Sequence, residues 1–406
     1  MKLVNLKYFL PGLLCLLMVL PAKAEEEFLL SESTYKALEK AQQQMADEQY
    51  SPAESALLKL VDETDSGSYD RAVVLQTLGY LYSETGDYAR ATERFRAALA
   101  LNALPEDVTH NLRYNLAQLL IADGQYQQGI ELLERWLSNE PNPENSVYVL
   151  LATANYQIKQ FSKTVENIRT AISRSDAPKE DWYRMQLAAH LEMQQYDAAI
   201  TVLETLLTRH PDDKTYWQQL ASLYSQQDKQ LTALAVTMLV KRLDLGNDDT
   251  VLQLSNMYRY LNIPYKSGQL LQQSIDNKVI PANFDNLEKL ADSWLAAREA
   301  DRAAEVLEQI RSQDGSGETD LKLARLYVSE EQWQAAEAPL TAAIEKLKGE
   351  RRGDALLMAG MVQFHLDNFD RAESLLKQAG EFEKQRNQAA QWLRHVQQTQ
   401  PEDDDA

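Results

Sequence analysis

Residues 75–98 read Leu-Gln-Thr-Leu-Gly-Tyr-Leu-Tyr-Ser-Glu-Thr-Gly-Asp-Tyr-Ala-Arg-Ala-Thr-Glu-Arg-Phe-Arg-Ala-Ala. Leu75, Leu78, Gly79 and Tyr82 recur at the spacing that puts side chains on one face of a helix. Gly86 breaks the run, and Tyr88, Ala91, Phe95 and Ala98 resume it on a second helix. Trp217, Leu220, Ala221, Tyr224 and Ala233 repeat the register far along the chain. Alignment on it gives ten repeat starts, near Thr34, Ala72, His110, Asn145, Glu180, Lys214, Asp248, Phe284, Gly317 and Gly353, spaced 33 to 38 residues apart. Repeats of that period are stacked helix pairs, and no strand pattern interrupts them.

The register has a packing cause. Small residues let the two helices of a hairpin cross closely, while large ones fill the space between hairpins. Ala41, Gly79, Ala117, Ala152, Ala221, Ala291, Ala324 and Gly360 mark the first helices. Ala53, Ala91, Gly129, Ala199, Ala233, Ala303, Ala336 and Ala372 mark the second. Trp136, Trp217, Trp294 and Trp333 occupy large-residue positions and are expected in the core, with Trp182 off the register. Three irregularities stand out: a long loop over 62–70, a turn lengthened by one residue at 262–265, and a Gly-Ser loop at 313–317.

This register is similar to the tetratricopeptide signature. The resemblance implies an all-α protein: an α-solenoid (right-handed superhelix) of about ten TPR helix hairpins, closed by a C-terminal capping helix. The domain reading is a signal peptide over 1–24, a linker over 25–32, the solenoid over 33–386, the cap over 387–398 and an acidic tail over 399–406. Ala389, Trp392, Leu393 and Val396 give the cap one apolar face, which a terminal repeat needs to cover its own.

Lys2 and Lys7, the apolar run from Tyr8 to Leu20 and Ala22-Lys23-Ala24 form an export signal with a cleavage site, so the chain is expected in the periplasm. The alternative is an uncleaved anchor in the inner membrane. After cleavage no direct membrane insertion is expected, because no later segment is apolar over a membrane's thickness. Cys15 is the only cysteine and lies inside the signal, so no disulfide or thiolate metal site is expected. Leu13 and Leu14 precede it where a lipoprotein needs small residues. Loss of Lys2, Lys7 and Lys23 takes the 41 basic residues to 38 against 61 acidic ones, a net charge of −23. Such a surface repels phosphate backbones, which argues against nucleic acid.

No catalytic, metal or cofactor constellation emerges. The five histidines, His110, His190, His210, His365 and His395, fall in different repeats or lack the spacing of paired ligands. No nucleophile elbow or phosphate loop is present. The acidic stretch from Asp314 to Asp320 alternates oxygen side chains but lacks a full calcium-loop pattern, and reads as a connecting loop. The chain is expected not to be an enzyme.

A repeat array works by holding other proteins. The exposed stripe of each first helix, beside its core face, gives the expected partner-binding groove: Tyr80, Tyr114, Gln118, Tyr156, Arg184, Gln218, Asn256, Arg259 and Tyr260. Tyr and Arg are enriched where binding energy concentrates. The Lys/Asn pair of the carboxylate clamp found in chaperone-binding tetratricopeptide domains is missing; the corresponding pairs are Leu38 and Gln42, Gln76 and Tyr80, and Leu252 and Asn256.

Several runs carry a narrower resemblance: Ser68 to Ala72 leading into Leu78-Gly79-Tyr80, Tyr148 to Ala152, Tyr216 to Leu220, Ala233 to Ala235 and Ile263 to Lys266. They resemble exported tetratricopeptide proteins that accompany TonB, ExbB and ExbD components in gammaproteobacteria. That resemblance implies a non-enzymatic periplasmic scaffold, accessory to TonB-dependent energy transduction and outer-membrane transport. Its partners would be TonB/ExbB/ExbD-type proteins or an outer-membrane receptor. The alternatives are an adaptor for envelope assembly or polysaccharide export and, from another class, a carbohydrate-binding protein or enzyme.

Overall fold

The computed structural model describes residues 28–399. The expected signal peptide and the tail from residue 400 lie outside the described residues. Twenty-one helices are formed and, among the described residues, no strand. The first helices of the hairpins are α1 (Glu32–Ala46), α3 (Tyr69–Glu84), α5 (Glu106–Ala122), α7 (Asn145–Gln157), α9 (Glu180–Glu192), α11 (Lys214–Gln226), α13 (Asp248–Tyr260), α15 (Phe284–Ala296), α17 (Glu318–Ser329) and α19 (Gly349–His365). Their partners are α2 (Tyr50–Glu63), α4 (Tyr88–Ala100), α6 (Tyr126–Leu137), α8 (Phe161–Ser173), α10 (Tyr196–Arg209), α12 (Gln230–Arg242), α14 (Pro264–Asp276), α16 (Ala300–Ile310), α18 (Trp333–Lys346) and α20 (Phe369–Ala379), and α21 (Arg386–Thr399) closes the array.

The fold is thus the all-α solenoid of ten hairpins and a capping helix that the register implies. The hairpins share a device that the sequence hides. Each turn is three residues long, and its middle residue is left-handed: Glu48, Gly86, Gly124, Lys159, Gln194, Asp228, Asn262, Arg298, Glu331 and Asp367. In the α7–α8 turn, Lys159 N–H donates to the Tyr156 carbonyl (3.0 Å) and Gln160 N–H to Asn155 (2.8 Å). Those bonds satisfy carbonyls that the end of a helix would otherwise leave bare. Only two of these ten positions are glycine, so glycine marks the turn poorly.

Two expected irregularities do not form. The α13–α14 turn is three residues like the rest, because Pro264 opens α14 at its first position. There the missing N–H would have been unpaired anyway. The first inter-hairpin loop is only 64–68, since α2 runs to Glu63 and α3 starts at Tyr69. Arg71 shortens it by donating to the Val61 and Thr64 carbonyls, both at 3.1 Å.

The chain divides into two compact units, up to Leu206 and from Leu207. In the first, Leu78, Tyr82, Phe95, Leu112, Ile121 and Leu151 are buried. A Cβ on Gly79 would lie 2.2 Å from the Phe95 ring, which is why that crossing needs glycine. In the second, Trp294, Leu271, Leu290, Leu307, Leu340 and Leu376 are buried. Gly268 admits the Trp294 ring, 2.7 Å from where a Cβ would be. Hairpin α13–α14 replaces the usual alanines by serine: Ser255 meets Ser267 at 2.8 Å, and Ser267 meets Ser293 at 3.0 Å, all buried. The capping helix buries Ala389 and Val396. Trp217 and Trp333, expected in the core, are half-buried instead. Trp217 donates from Nε1 to the Pro211 carbonyl (2.8 Å), and Trp333 stacks on the exposed ring of His365 at 4.0 Å.

Candidate protein-binding surface

The odd-numbered helices of each unit are taken together as its odd layer; some of their side chains reach the next odd helix and others an even one. Within the first unit, the odd layer carries Tyr80, Tyr114, Gln118, Tyr156 and Arg184. Tyr80 is half-buried on α3, edge-on to Phe95 with centroids 5.1 Å apart. Its hydroxyl accepts from Asn115 Nδ2 on α5 (3.0 Å) and from Gln76 (3.4 Å). Tyr114 stacks on Trp136 at 4.6 Å, and its hydroxyl lies near Ser146 of α7 and Gln118. Burial raises the pKa of Tyr114, so its hydroxyl stays neutral. Tyr156 lies edge-on to Phe161 at 5.3 Å, and burial followed by the nearby charge of Glu192 on α9 raises its pKa also. Tyr80 is thus a rung between successive odd helices, while Tyr114 and Tyr156 pack chiefly on the even helix of their own hairpin. Arg184 is exposed, with a loose 3.7 Å ion contact to Asp181.

In the second unit, the odd layer carries Gln218 on α11 and Asn256, Arg259 and Tyr260 on α13. All four are exposed, Tyr260 by 73%. Their side chains have no hydrogen-bond or ion-pair partner among the described residues. Further along, the layer is bridged by charge. Lys322 on α17 reaches Asp292 (2.8 Å) and Glu288 (3.4 Å) on α15. Burial favours its neutral form, but the two carboxylates outweigh that and raise its pKa. Arg325 reaches Asp354 on α19 at 3.4 Å, and Arg351 Nε donates to Glu318 at 2.9 Å. A cleft of about 410 Å³ between α15 and α17 is lined by Leu295, Arg298, Lys322, Arg325 and Leu326. Two of its three cations are thus already paired.

Sequence reasoning named these tyrosines but not their neighbours Asn115, Ser146 and Glu192, nor the charged rungs. Those residues sit one helix on, at positions that no local pattern marks. The acidic loop at 314–320 has its carboxylates engaged. Asp314 accepts from Ser316 N–H and Thr319 N–H, each at 2.8 Å, while Asp320 takes Arg311 (2.8 Å) and Lys346 (2.7 Å). Burial alone would raise Asp314, but those hydrogen bonds hold it at about 2. Among the described residues, no group of three or more His, Cys, Asp or Glu could hold a metal, and no helix is long and apolar enough to cross a membrane.

Models of the tetratricopeptide repeat match residues 77–159 and 321–386, and a second such model matches 179–223. No curated protein matches the chain. Among solved structures, the chain is similar to one of Naa15/Naa10 bound to HypK-THB, with 14% identity and a TM-score of 0.44. That match covers 77% of this chain and 52% of the other, so the chain spans about half the length of that relative. A MamA RS-1 double mutant is 18% identical over 46% of this chain and 100% of its own, with a TM-score of 0.38. The C-terminal part of a TPR repeat-containing protein from Cytophaga hutchinsonii is 15% identical over 60% and 99%, with a TM-score of 0.37. None of these likenesses bears on activity or partner. The chain carries tetratricopeptide repeats, and arrays of this class present extended surfaces to other proteins.

Proposed function

We propose that this chain is a non-enzymatic periplasmic scaffold, accessory to TonB-dependent energy transduction and outer-membrane transport. Export rests on the basic start, the short apolar run and the A-x-A site of residues 1–24. The transport role rests on the resemblance carried by the runs at 68–80, 148–152, 216–220, 233–235 and 263–266.

The observation that carries the reading furthest is the charge of the first unit. Residues 28–206 hold 15 basic and 26 acidic side chains, a net of −11. On their odd layer, half-buried tyrosines alternate with Gln118 and the exposed Arg184. Such a surface suits a basic, proline-rich extended segment: tyrosine faces pack against proline rings, and the field draws the segment in.

A photo-crosslinker at the exposed Arg184 position, used in the living cell, tests this. Capture of TonB, ExbB, ExbD or a TonB-dependent receptor is the expected result. Capture confined to envelope-assembly or polysaccharide-export proteins would overturn the transport role and leave the scaffold.

A further inference from the structure

Two independent features coincide in hairpins α11–α12 and α13–α14. The first is charge. No glutamate occurs between Glu204 and Glu288, and residues 214–283 carry 7 basic and 5 acidic side chains, a net of +2. The whole chain is at −20, so the remainder is at −22. The second feature is apolar exposure. Of the 11 large hydrophobic side chains exposed among the described residues, eight lie between Leu231 and Val279.

Half of those eight lie on α12 or just past its end. On α12 and at its end, Leu231 is 67% exposed, Met238 46%, Leu239 41% and Leu243 50%. Leu231 and Met238 are seven residues apart, two turns along one line; Leu239 and Leu243, one turn from each other, lie roughly 80–140° further round the helix. The patch is about 18 Å long at 1.5 Å per residue, the length of a three-turn helix. From Lys229 to Leu243 there is no acidic side chain, and Lys241 and Arg242 end the helix without a carboxylate partner among the described residues. Met238 is also anchored to the next hairpin, since Tyr258 Oη lies 3.3 Å from its sulfur. A solvated face of an outer helix has no folding reason to be apolar, and a contiguous apolar patch marks an interaction site.

We infer that the exposed face of α12 is a docking site for an acidic amphipathic helix of a partner protein. The partner's leucine-type stripe packs on Leu231 and Met238, and its carboxylates meet Lys241 and Arg242. The remainder of the chain, at −22, repels an acidic partner by the same charge rule that favours this site. The inference rests on the scaffold reading but not on the TonB-type partner, which was assigned to the acidic first unit and would be basic.

The test uses the purified chain and three synthetic 15-residue peptides: one with a leucine stripe and glutamates opposite, the same stripe with lysines, and the glutamate peptide with its stripe scrambled. Fluorescence anisotropy gives each affinity at low and high salt. The glutamate-stripe peptide is expected to bind at least about tenfold more tightly than the other two, and to weaken with salt. Met238→Asp and Leu231→Asp are each expected to lower that affinity about tenfold with helix content unchanged, and Arg242→Glu by severalfold with a flatter salt dependence. Equal binding of the glutamate and lysine peptides would overturn the proposal. So would Asp variants that bind like the parent chain. Sedimentation gives the remaining outcome: a chain that dimerises until Met238→Asp makes it monomeric has a second copy on this face, which also overturns the acidic partner. Crosslinking at Arg184 is read separately, so either reading can fail alone.

Discussion

Tyr80 ties α3 to α5 through the hydrogen bond from Asn115, and Tyr114 reaches from α5 towards Ser146 of α7, whereas Lys322 and Arg325 tie α15 to α17 and α17 to α19 through charges. Both devices solve the same problem. Successive first helices in a solenoid meet along a seam of mixed polarity, and any polar group shut into it needs a partner. The tyrosine seam adds an aromatic body to each hydrogen bond, so it packs as well as pairs. The ionic seam depends on solvent conditions, and it occupies cations that a partner could otherwise use. Between the two, Gln218 on α11 and Asn256, Arg259 and Tyr260 on α13 show neither device and have no side-chain partner among the described residues.

The comparison is broken most directly at Asp320, 1% exposed between Arg311 and Lys346. Asp320→Ala strips both cations of a buried partner and is expected to cost about 3–5 kcal/mol. Hydrogen exchange should then rise across α16 to α19 while α3 to α9 keep their protection. A uniform rise would mean that the units are not separate in stability.

A smaller effect is expected in the tyrosine seam. Tyr80→Phe leaves the Asn115 amide without its acceptor while keeping the ring against Phe95, costing about 1 kcal/mol by urea denaturation. No loss would show that the ring alone holds α3 to α5.

Proton titration separates the seams by sign. Asp314, at about 2 against an ordinary 3.8, and Glu318, lowered by Arg351, stabilise the second unit above pH 4. That contribution is lost as pH falls from there through about 2. Tyr114 and Tyr156, raised above 10.0, stabilise the first unit below pH 10 and lose that contribution as pH climbs past their folded values. Acid should loosen α17–α19 first and alkali α5–α7, read by exchange at each pH.

The smallest effect is that of salt. Raising NaCl from low concentration to about 1 M should weaken the α15–α19 seam by a few tenths of a kcal/mol per exposed pair and leave the α3–α7 seam unchanged.

The repeat was legible in the sequence because packing acts at short range. A small residue where two helices cross and a large one where hairpins stack recur at fixed intervals, as at Gly79 and Phe95, and the pattern survives without any knowledge of the neighbours. The capping helix was legible for the same reason: Ala389 and Val396 share a face that something must cover. The ten turns were only half legible, since the backbone demand for a left-handed residue is met by Lys159, Asp228 or Arg298 as well as by glycine. Tyr80 was visible as a position beside a helix's core face, but not as a rung. Whether Tyr80 faces a partner or Asn115 is decided by a residue 35 positions away. Period and polarity are properties of one helix and are written in its own sequence; pairing and exposure belong to two helices at once, and only the tertiary structure brings them together.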